Sequence, residues 1–214
     1  NLNPYLGHRV GTEMIKEIAR AGRAWGIDTL TFWVWSTENW SRDSEQVEFV
    51  MGLAEEFLPQ GEFLQELLDS QVRFTHFGRK ERLPHGLNQA ITSLEDKTSH
   101  LGRFRLNLAL DYGGLDEMAR AILRMDDGHF DYNRLRENPN LVFDFLDSGR
   151  QALPDLVIRT GANAGEIPHT SGFMPLQTAY SGWVFLPNLF PNLEPTILQN
   201  AIESFTGYEK RLGQ

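Results

Sequence analysis

The stretch that decides the fold is DTLTFWVWSTENWSR, residues 28–42. Its first half, DTLTFWVW (28–35), is dense in β-branched and aromatic side chains, which is typical of a short strand buried within a parallel sheet. The polar segment STENWSRDS (36–44) follows at once and predicts a loop. Because ligands of open parallel sheets bind beyond the carboxyl ends of the strands, this loop is the first candidate for a functional site.

Segments of these kinds alternate along the rest of the chain. Further strands are predicted at 72–78, 104–112, 155–161 and 183–187. Helices are predicted at 8–25, 45–58, 62–69, 84–97, from about 115, at 141–149 and at 194–213, with loops at 126–140 and 161–175. This alternation predicts an α/β fold with a mainly parallel sheet, and because no linker divides the chain we expect a single domain over residues 1–214.

The composition excludes several classes of protein. Of the 214 residues 41% are hydrophobic and 23% charged, which is too apolar for a disordered chain. The net charge of −9 argues against a general nucleic-acid binder, which needs a basic surface. Cysteine is absent, so disulfides, thiolate nucleophiles and cysteine-ligated metals are excluded, and a reducing cytoplasm is compatible. No apolar run approaches the roughly 20 residues of a membrane-spanning helix.

Three polar segments follow predicted strands: Ser36–Arg42, Asp111–Gly114 and Arg159–Ser171. The hydroxyls, amide and arginine of the first suit an oxyanion such as phosphate, with Asn39 able to orient a proton or water. An ordinary turn explains it equally well, with Ser36 or Ser44 capping the next helix.

The other two segments also leave two interpretations open. The glycines of DYGG allow a tight turn, which we favour, or an anion site at a helix N-terminus. Arg159 either points into the ligand crevice or pairs with a carboxylate such as Asp111 or Glu38. The six histidines show no metal-binding spacing, and of these we retain His8 as a candidate.

Together these pieces resemble the cis-prenyltransferases, the undecaprenyl diphosphate synthase family. The matching motifs are GHRVG (7–11), WSTENWSR (35–42), DYGG (111–114), DLVIRTG (155–161), SGFMPLQTAY (171–180) and YEKRLG (208–213). The resemblance implies a six-stranded, mainly parallel sheet with a hydrophobic tunnel, a homodimer and Mg²⁺. It implies condensation of isopentenyl diphosphate with an allylic diphosphate to a Z-polyprenyl diphosphate, in the cytoplasm at the membrane surface because the product is apolar.

The resemblance also implies roles for individual residues. Arg42, Arg159 and Ser171 would hold isopentenyl diphosphate, and His8 would lie beside the allylic diphosphate. Asn39 would assist proton removal. The remaining substrate-binding positions are Ser36, Thr37, Glu38, Trp40, His169 and Thr170.

The chain departs from the family pattern at several positions. Pro4 stands in place of an arginine, Asp111 in place of asparagine, and His169 in place of a second arginine within a loop four residues longer. Gly182 replaces the glutamate that binds magnesium, so no metal ligand is identifiable. The D-G-N-x-R-W motif with the catalytic aspartate is also missing before GHRVG, and we expect the N-terminal strand that carries it to be missing too.

Three hypotheses follow. In the first, which we favour, the chain is a fragment of an active but divergent enzyme. In the second it is a non-catalytic subunit that supports a partner, and in the third it is a binding module for diphosphate ligands on the same fold. Loss of turnover on mutation of Asn39 is expected only for the first.

Overall fold

The computed structural model describes residues 4–58, 61–163, 165 and 167–206. The helices are α1 (Pro4–Ala24), α2 (Ser44–Phe57), α3 (Gly61–Asp69), α4 (His85–Thr98), α5 (Gly114–Asp127), α6 (Asn133–Glu137) and α7 (Pro195–Thr206). The strands are β1 (Thr29–Ser36), β2 (Val72–Phe77), β3 (Phe104–Tyr112), β4 (Leu156–Thr160) and β5 (Gly182–Leu186). The chain divides into a central unit, Gly22–Gln151, and a terminal unit made of Asn1–Ala21 and Ala152–Gln214.

The central unit is built on a three-stranded parallel sheet in the order β1-β3-β2. Strand β3 lies in the middle and is buried at every position except the half-buried Arg105, as expected for its continuous apolar run. Ser36 pairs with Tyr112, and Phe77 pairs with Ala109, so the three strands end at the same edge. The polar segments that follow β1, β2 and β3 are therefore brought together.

Helices α2, α3 and α4 supply the apolar residues that pack with this sheet. The ring of Phe63 on α3 lies 4.9 Å from that of Phe57 on α2 and 6.5 Å, edge to face, from that of Phe74 on β2. Leu87 and Ile91 of α4 are fully buried. Burying a side chain of this size stabilises the fold by about 1.5–3 kcal/mol, so this layer fixes the position of β2.

Two glycines let the strand ends approach each other closely. Gly113 precedes α5, and a Cβ there would overlap the hydroxyl of Thr37. Gly78 has a φ of 120°, and a Cβ there would overlap the carbonyl oxygen of Leu110. Any larger residue would push apart the segments that carry the candidate site.

The terminal unit contains a two-stranded parallel sheet of β4 and β5 together with α7 and most of α1. The backbone amide of Gly182 donates to the carbonyl of Asp155 at 2.8 Å at the start of this pairing. After β4 the chain runs through residues 161–181 without a helix or strand in the part described, then enters β5. Phe173, Met174 and Gln177 anchor that connection because their side chains are buried.

The predicted α/β class is confirmed, and all five strands predicted from residue patterns are present. The sixth strand came from the family resemblance alone and does not occur among the described residues. The single domain predicted over 1–214 stays a prediction. None of the helices described is long and apolar enough to cross a membrane.

Several local predictions were wrong, each because of a local interaction. The predicted loop 36–44 contains a 3₁₀ turn at Thr37–Ser41, and the cap of α2 is neither Ser36 nor Ser44 but Asp43, whose carboxylate accepts from the Glu45 amide at 2.8 Å. The predicted loop 126–140 contains α6, and the Asp131 carboxylate just before this helix accepts from the Asn133 amide. The helix predicted at 141–149 is a 3₁₀ segment, Pro139–Phe145.

Both long terminal helices also differ from their predicted bounds. Helix α1 begins at Pro4 rather than at residue 8, since proline is tolerated in a first helical turn. The last helix is described as Pro195–Thr206, and the rest of the predicted segment, with the motif YEKRLG (208–213), lies outside the described residues.

Candidate functional site

The turn Thr37–Ser41 at the end of β1 holds Asn39 in one orientation. The backbone amide of Ser36 donates to the Asn39 Oδ1 at 3.0 Å. The Ser41 hydroxyl donates to the Glu38 carbonyl at 2.8 Å, and the Arg42 amide donates to the Asn39 carbonyl at 3.1 Å. Because its side-chain oxygen is used within the turn, Asn39 can offer a ligand its Nδ2 donor.

The carboxylate of Glu38 is ionised beside this amide. Burial acts to raise the pKa of Glu38, but hydrogen bonds from its own backbone amide and from the hydroxyls of Ser36 and Thr37 outweigh it, and the pKa lies below its ordinary value. Ser36 and Thr37, predicted to border the substrates, are thus oriented by Glu38.

Two tryptophans, Trp35 and Trp40, pack against each other at the turn. Trp35 is buried, and its ring lies 6.1 Å from that of Trp40, edge to face. The guanidinium of Arg42 lies 5.5 Å from the Trp35 ring centroid, and that of Arg82 lies 5.4 Å from the Trp40 ring centroid. Cation–π contacts of this kind give about 0.5–1 kcal/mol each at exposed sites. Trp40 is therefore held by both Trp35 and Arg82, and Arg42 is held by Trp35.

Asp111, Trp40 and Arg82 form what we call the Asp111 cluster. The Asp111 side chain is fully buried and accepts from the Trp40 Nε1 at 2.7 Å and from the Arg82 Nε at 2.8 Å, with a further bond from the Arg82 Nη2. The hydrogen bond with Asp111 raises the pKa of Arg82. Asp111 therefore forms an ion pair with Arg82, which lies in the same unit.

Sequence reasoning missed Arg82. It lies in RKERLP, which reads as a plain exit loop after β2. The signal that could have found it is the density of basic residues directly after a strand, Arg79, Lys80 and Arg82 within four positions.

A second buried ionic network supports the same edge of the sheet. Asp147 accepts from Arg120 in a bidentate pair at 2.6 Å and from the Gly78 backbone amide at 2.9 Å. Asp116 pairs with Arg120 at 2.8 Å and also with Arg79. Burial acts to raise the pKa of both aspartates, but the arginines outweigh it and the pKa values fall below the ordinary range.

The DYGG segment makes the tight strand-to-helix connection that was favoured from the sequence: Tyr112 ends β3, Gly113 is the N-cap of α5 and Gly114 begins that helix. Tyr112 is buried and its hydroxyl donates to Glu117 Oε2 at 2.5 Å, while burial raises the Tyr112 pKa. Asp116 and Glu117 occupy the first turn of α5, where they already interact with the positive end of the helix. An anion at that N-terminus would meet two carboxylates.

Arg159, His169 and Ser171 form a second group, the Arg159 cluster, in the terminal unit. The Arg159 Nη1 donates to the Ser171 Oγ at 2.7 Å and to the His169 carbonyl at 2.5 Å. The His169 Nδ1 lies 3.0 Å from the Ser171 Oγ. His169, Thr170 and Ser171 are exposed, and Ser171 has a φ of 51°, a costly conformation for a residue other than glycine. These groups present guanidinium, imidazole and hydroxyl side chains that suit an oxyanion.

His8 lies on α1 in the same unit, half-buried, and its carbonyl accepts from the Thr12 hydroxyl at 3.0 Å. The structure thus brings six predicted residues, Ser36 to Trp40 and Arg42, together in the central unit. Arg159, His169 and Ser171 come together in the terminal unit.

The described residues contain no group of three or more His, Asp or Glu side chains that could hold a metal ion without help from a bound substrate. At Gly182, where the resemblance implies a glutamate, a Cβ would lie 2.6 Å from the Phe205 ring. A carboxylate at this position would require Phe205 to move.

The sequence is similar to a known protein family and to several of its members. A family model described as "Putative undecaprenyl diphosphate synthase" matches residues 1–213. The isoprenyl transferases of Streptococcus mutans and Listeria innocua are both 34% identical, over 97% of this chain and 84% and 81% of their own lengths. That of Bacillus cereus is 33% identical.

Solved structures agree with the fold. Lavandulyl diphosphate synthase from Lavandula x intermedia, solved in complex with dimethylallyl diphosphate, superposes with a TM-score of 0.89 at 25% identity, covering 99% of this chain and 90% of that one. A "probable undecaprenyl diphosphate synthase" from Campylobacter jejuni gives a TM-score of 0.80 at 27% identity, covering 96% and 92%. The predicted family and the prenyltransferase class are both confirmed. The chain belongs to the undecaprenyl diphosphate synthase family of isoprenyl transferases.

Proposed function

We propose that this chain condenses isopentenyl diphosphate with an allylic diphosphate to give a Z-polyprenyl diphosphate. The observation that carries the proposal is the turn after β1, in which the Ser36 amide fixes Asn39 beside Glu38 and Trp40. The isoprenyl transferase relatives support the same reaction class.

The reaction asks three things of the protein. The carbon–oxygen bond of the allylic diphosphate breaks and releases inorganic diphosphate, a carbon–carbon bond forms to isopentenyl diphosphate, and a proton leaves the condensing unit. The Arg159 cluster binds the diphosphate of isopentenyl diphosphate through Arg159, His169 and Ser171, with Thr170 beside them. Charge-assisted donors of this kind hold the substrate still, which lowers the entropic part of the barrier.

The turn residues act on the reacting carbons. The Asn39 Nδ2 donates to the acceptor of the proton, an oxygen of the departing diphosphate, since a carboxamide is itself too weak a base to take the proton. Ser36, Thr37, Glu38, Trp40 and Arg42 border the substrates, and His8 lies beside the allylic diphosphate.

Mg²⁺ is implied by the family resemblance alone. Because the described residues lack a ligand set and Gly182 abuts Phe205, no step is assigned to the ion. The homodimer, the cytoplasmic location and the contact with a membrane surface likewise remain proposals. Sedimentation and vesicle flotation would test them.

A second candidate concerns the size of the allylic substrate. The better superposition is with a protein whose structure holds dimethylallyl diphosphate, the smallest allylic diphosphate. Under this candidate the chain uses dimethylallyl diphosphate in preference to farnesyl diphosphate.

The test is a turnover assay with labelled isopentenyl diphosphate and either allylic partner, with products identified by mass spectrometry. We expect a condensed diphosphate product with at least one partner. Asn39→Asp is the matched variant, because it keeps an oxygen for the Ser36 amide and removes the Nδ2 donor. It should lose turnover by about a hundredfold or more. Absence of product from the wild-type chain would favour the partner-subunit or binding-module hypotheses.

A further inference from the structure

Asp111 joins the end of β3 to the two segments that follow β1 and β2. It lies at the end of β3, where its φ of 54° is one that aspartate and asparagine tolerate better than most residues. Its carboxylate binds Trp40 in the turn after β1 and Arg82 in the loop after β2. Its carbonyl accepts from the backbone amide of Arg79, in that same loop, at 3.0 Å.

The geometry of the donors explains why a carboxylate is useful there. The Trp40 Nε1 and the Arg82 Nη2 both donate to Oδ1, while the Arg82 Nε donates to Oδ2. An asparagine, which the family resemblance implies at this position, can supply only one of these oxygens. Its Nδ2 would face another N–H group, either that of Arg82 or that of Trp40.

We propose that Asp111 is a positioning residue that holds Trp40 and Arg82, and through Trp40 fixes the turn that carries Asn39. The inference rests on the proposed role of Asn39. Trp40 follows Asn39 directly in the turn. The Ser36 amide holds the Asn39 side chain, and the hydrogen bond to Asp111 holds the Trp40 side chain. Without Asp111, the part of the turn that contains Trp40 would be free to move.

The experiment compares Asp111→Ala, Asp111→Asn and Trp40→Phe with the wild-type chain. Asp147→Asn is the matched control, because it alters another largely buried carboxylate, which is bound to Arg120 and Arg124 and not to Trp40. One readout is the NMR resonance of the Trp40 indole N–H, assigned by its loss in Trp40→Phe. The other is kcat and KM for isopentenyl diphosphate with an allylic diphosphate.

In Asp111→Ala the indole resonance should move toward that of a solvent-bonded indole, and kcat should fall about tenfold or more while KM changes less. Asp111→Asn should recover the indole bond and part of kcat, and Trp40→Phe should resemble Asp111→Ala in kcat. The control should lower thermal stability while leaving the indole resonance and kcat in place.

An unmoved indole resonance in Asp111→Ala would overturn the inference, and so would a kcat no lower than that of Asp147→Asn. A wild-type kcat in Trp40→Phe would overturn it as well. These outcomes leave the proposed function standing. Absence of turnover in the wild-type chain would instead overturn both together.

Discussion

The Asp111 cluster and the Arg159 cluster both lie where a parallel strand ends, but the arginines in them differ in whether a carboxylate neutralises their charge. Arg82 is paired with a fully buried carboxylate. Arg159 is bonded to a hydroxyl and a carbonyl, and within the described part of the chain no carboxylate forms a salt bridge with it. A guanidinium that is neutralised by a carboxylate holds neighbouring segments in place, whereas one without a carboxylate partner attracts an anion. We therefore propose that the first cluster supports the turn and that the second binds a diphosphate.

Acid should have the largest effect on the stability of the central unit, because it protonates several of its paired carboxylates at once. The folded-state pKa values of Asp116 and Asp147 are depressed, so their contribution to stability is present above their unfolded pKa and is lost as pH falls through the folded values. Thermal melts followed by circular dichroism should show stability falling steeply below about pH 4. Stability independent of pH in that range would show that the pairs of Asp116 and Asp147 with their arginines do not stabilise the fold.

Removal of Asp147 alone should have the next largest effect. Asp147→Ala leaves Arg120 buried without its bidentate partner, and breaking such a pair costs about 3–5 kcal/mol. The matched control is Asp144→Ala, whose pair with Arg150 is exposed, and whose effect should be much smaller. Urea denaturation gives both free energies of unfolding, and equal losses in the two variants would show that burial of the network does not matter.

The smallest of these effects is expected at Gly182, in the unit that carries the Arg159 cluster. Gly182→Ala drives a methyl group into the ring of Phe205 and should destabilise the fold by about 1–3 kcal/mol. Gly52→Ala on α2 is the control, because nothing lies near its Cβ position and alanine favours a helix. If Gly182→Ala were as stable as that control, a side chain would fit at position 182 and the steric case against a metal ligand there would fail.

Sequence predicted the parts of this protein that depend on local pattern. The apolar runs gave all five strands, and the polar residues that follow them marked Ser36–Arg42 and Arg159–Ser171 as candidate sites. The 3₁₀ turn and α6 escaped prediction, because local hydrogen bonds from backbone amides to single side chains, such as Asp131, decide short helices and the apolar pattern does not show them.

Contacts between distant segments were harder to predict. Nothing in RKERLP marks Arg82 as the partner of Asp111, 29 residues further along the chain, until the register of β2 against β3 brings their ends together. Likewise the glycine at position 182 reads as a lost metal ligand in the sequence. The structure adds that Phe205 of α7 fills the space that a side chain would need.

The most direct test of the account is calorimetric binding of isopentenyl diphosphate to Arg159→Ala and Arg82→Ala. Arg159→Ala should weaken binding by about tenfold or more, since a charge-assisted hydrogen bond contributes roughly 1.5–3 kcal/mol. Arg82→Ala should retain most of the affinity while losing turnover, because its guanidinium serves Asp111 and Trp40. If Arg82→Ala lost affinity and Arg159→Ala kept it, the roles assigned to the two clusters would be wrong.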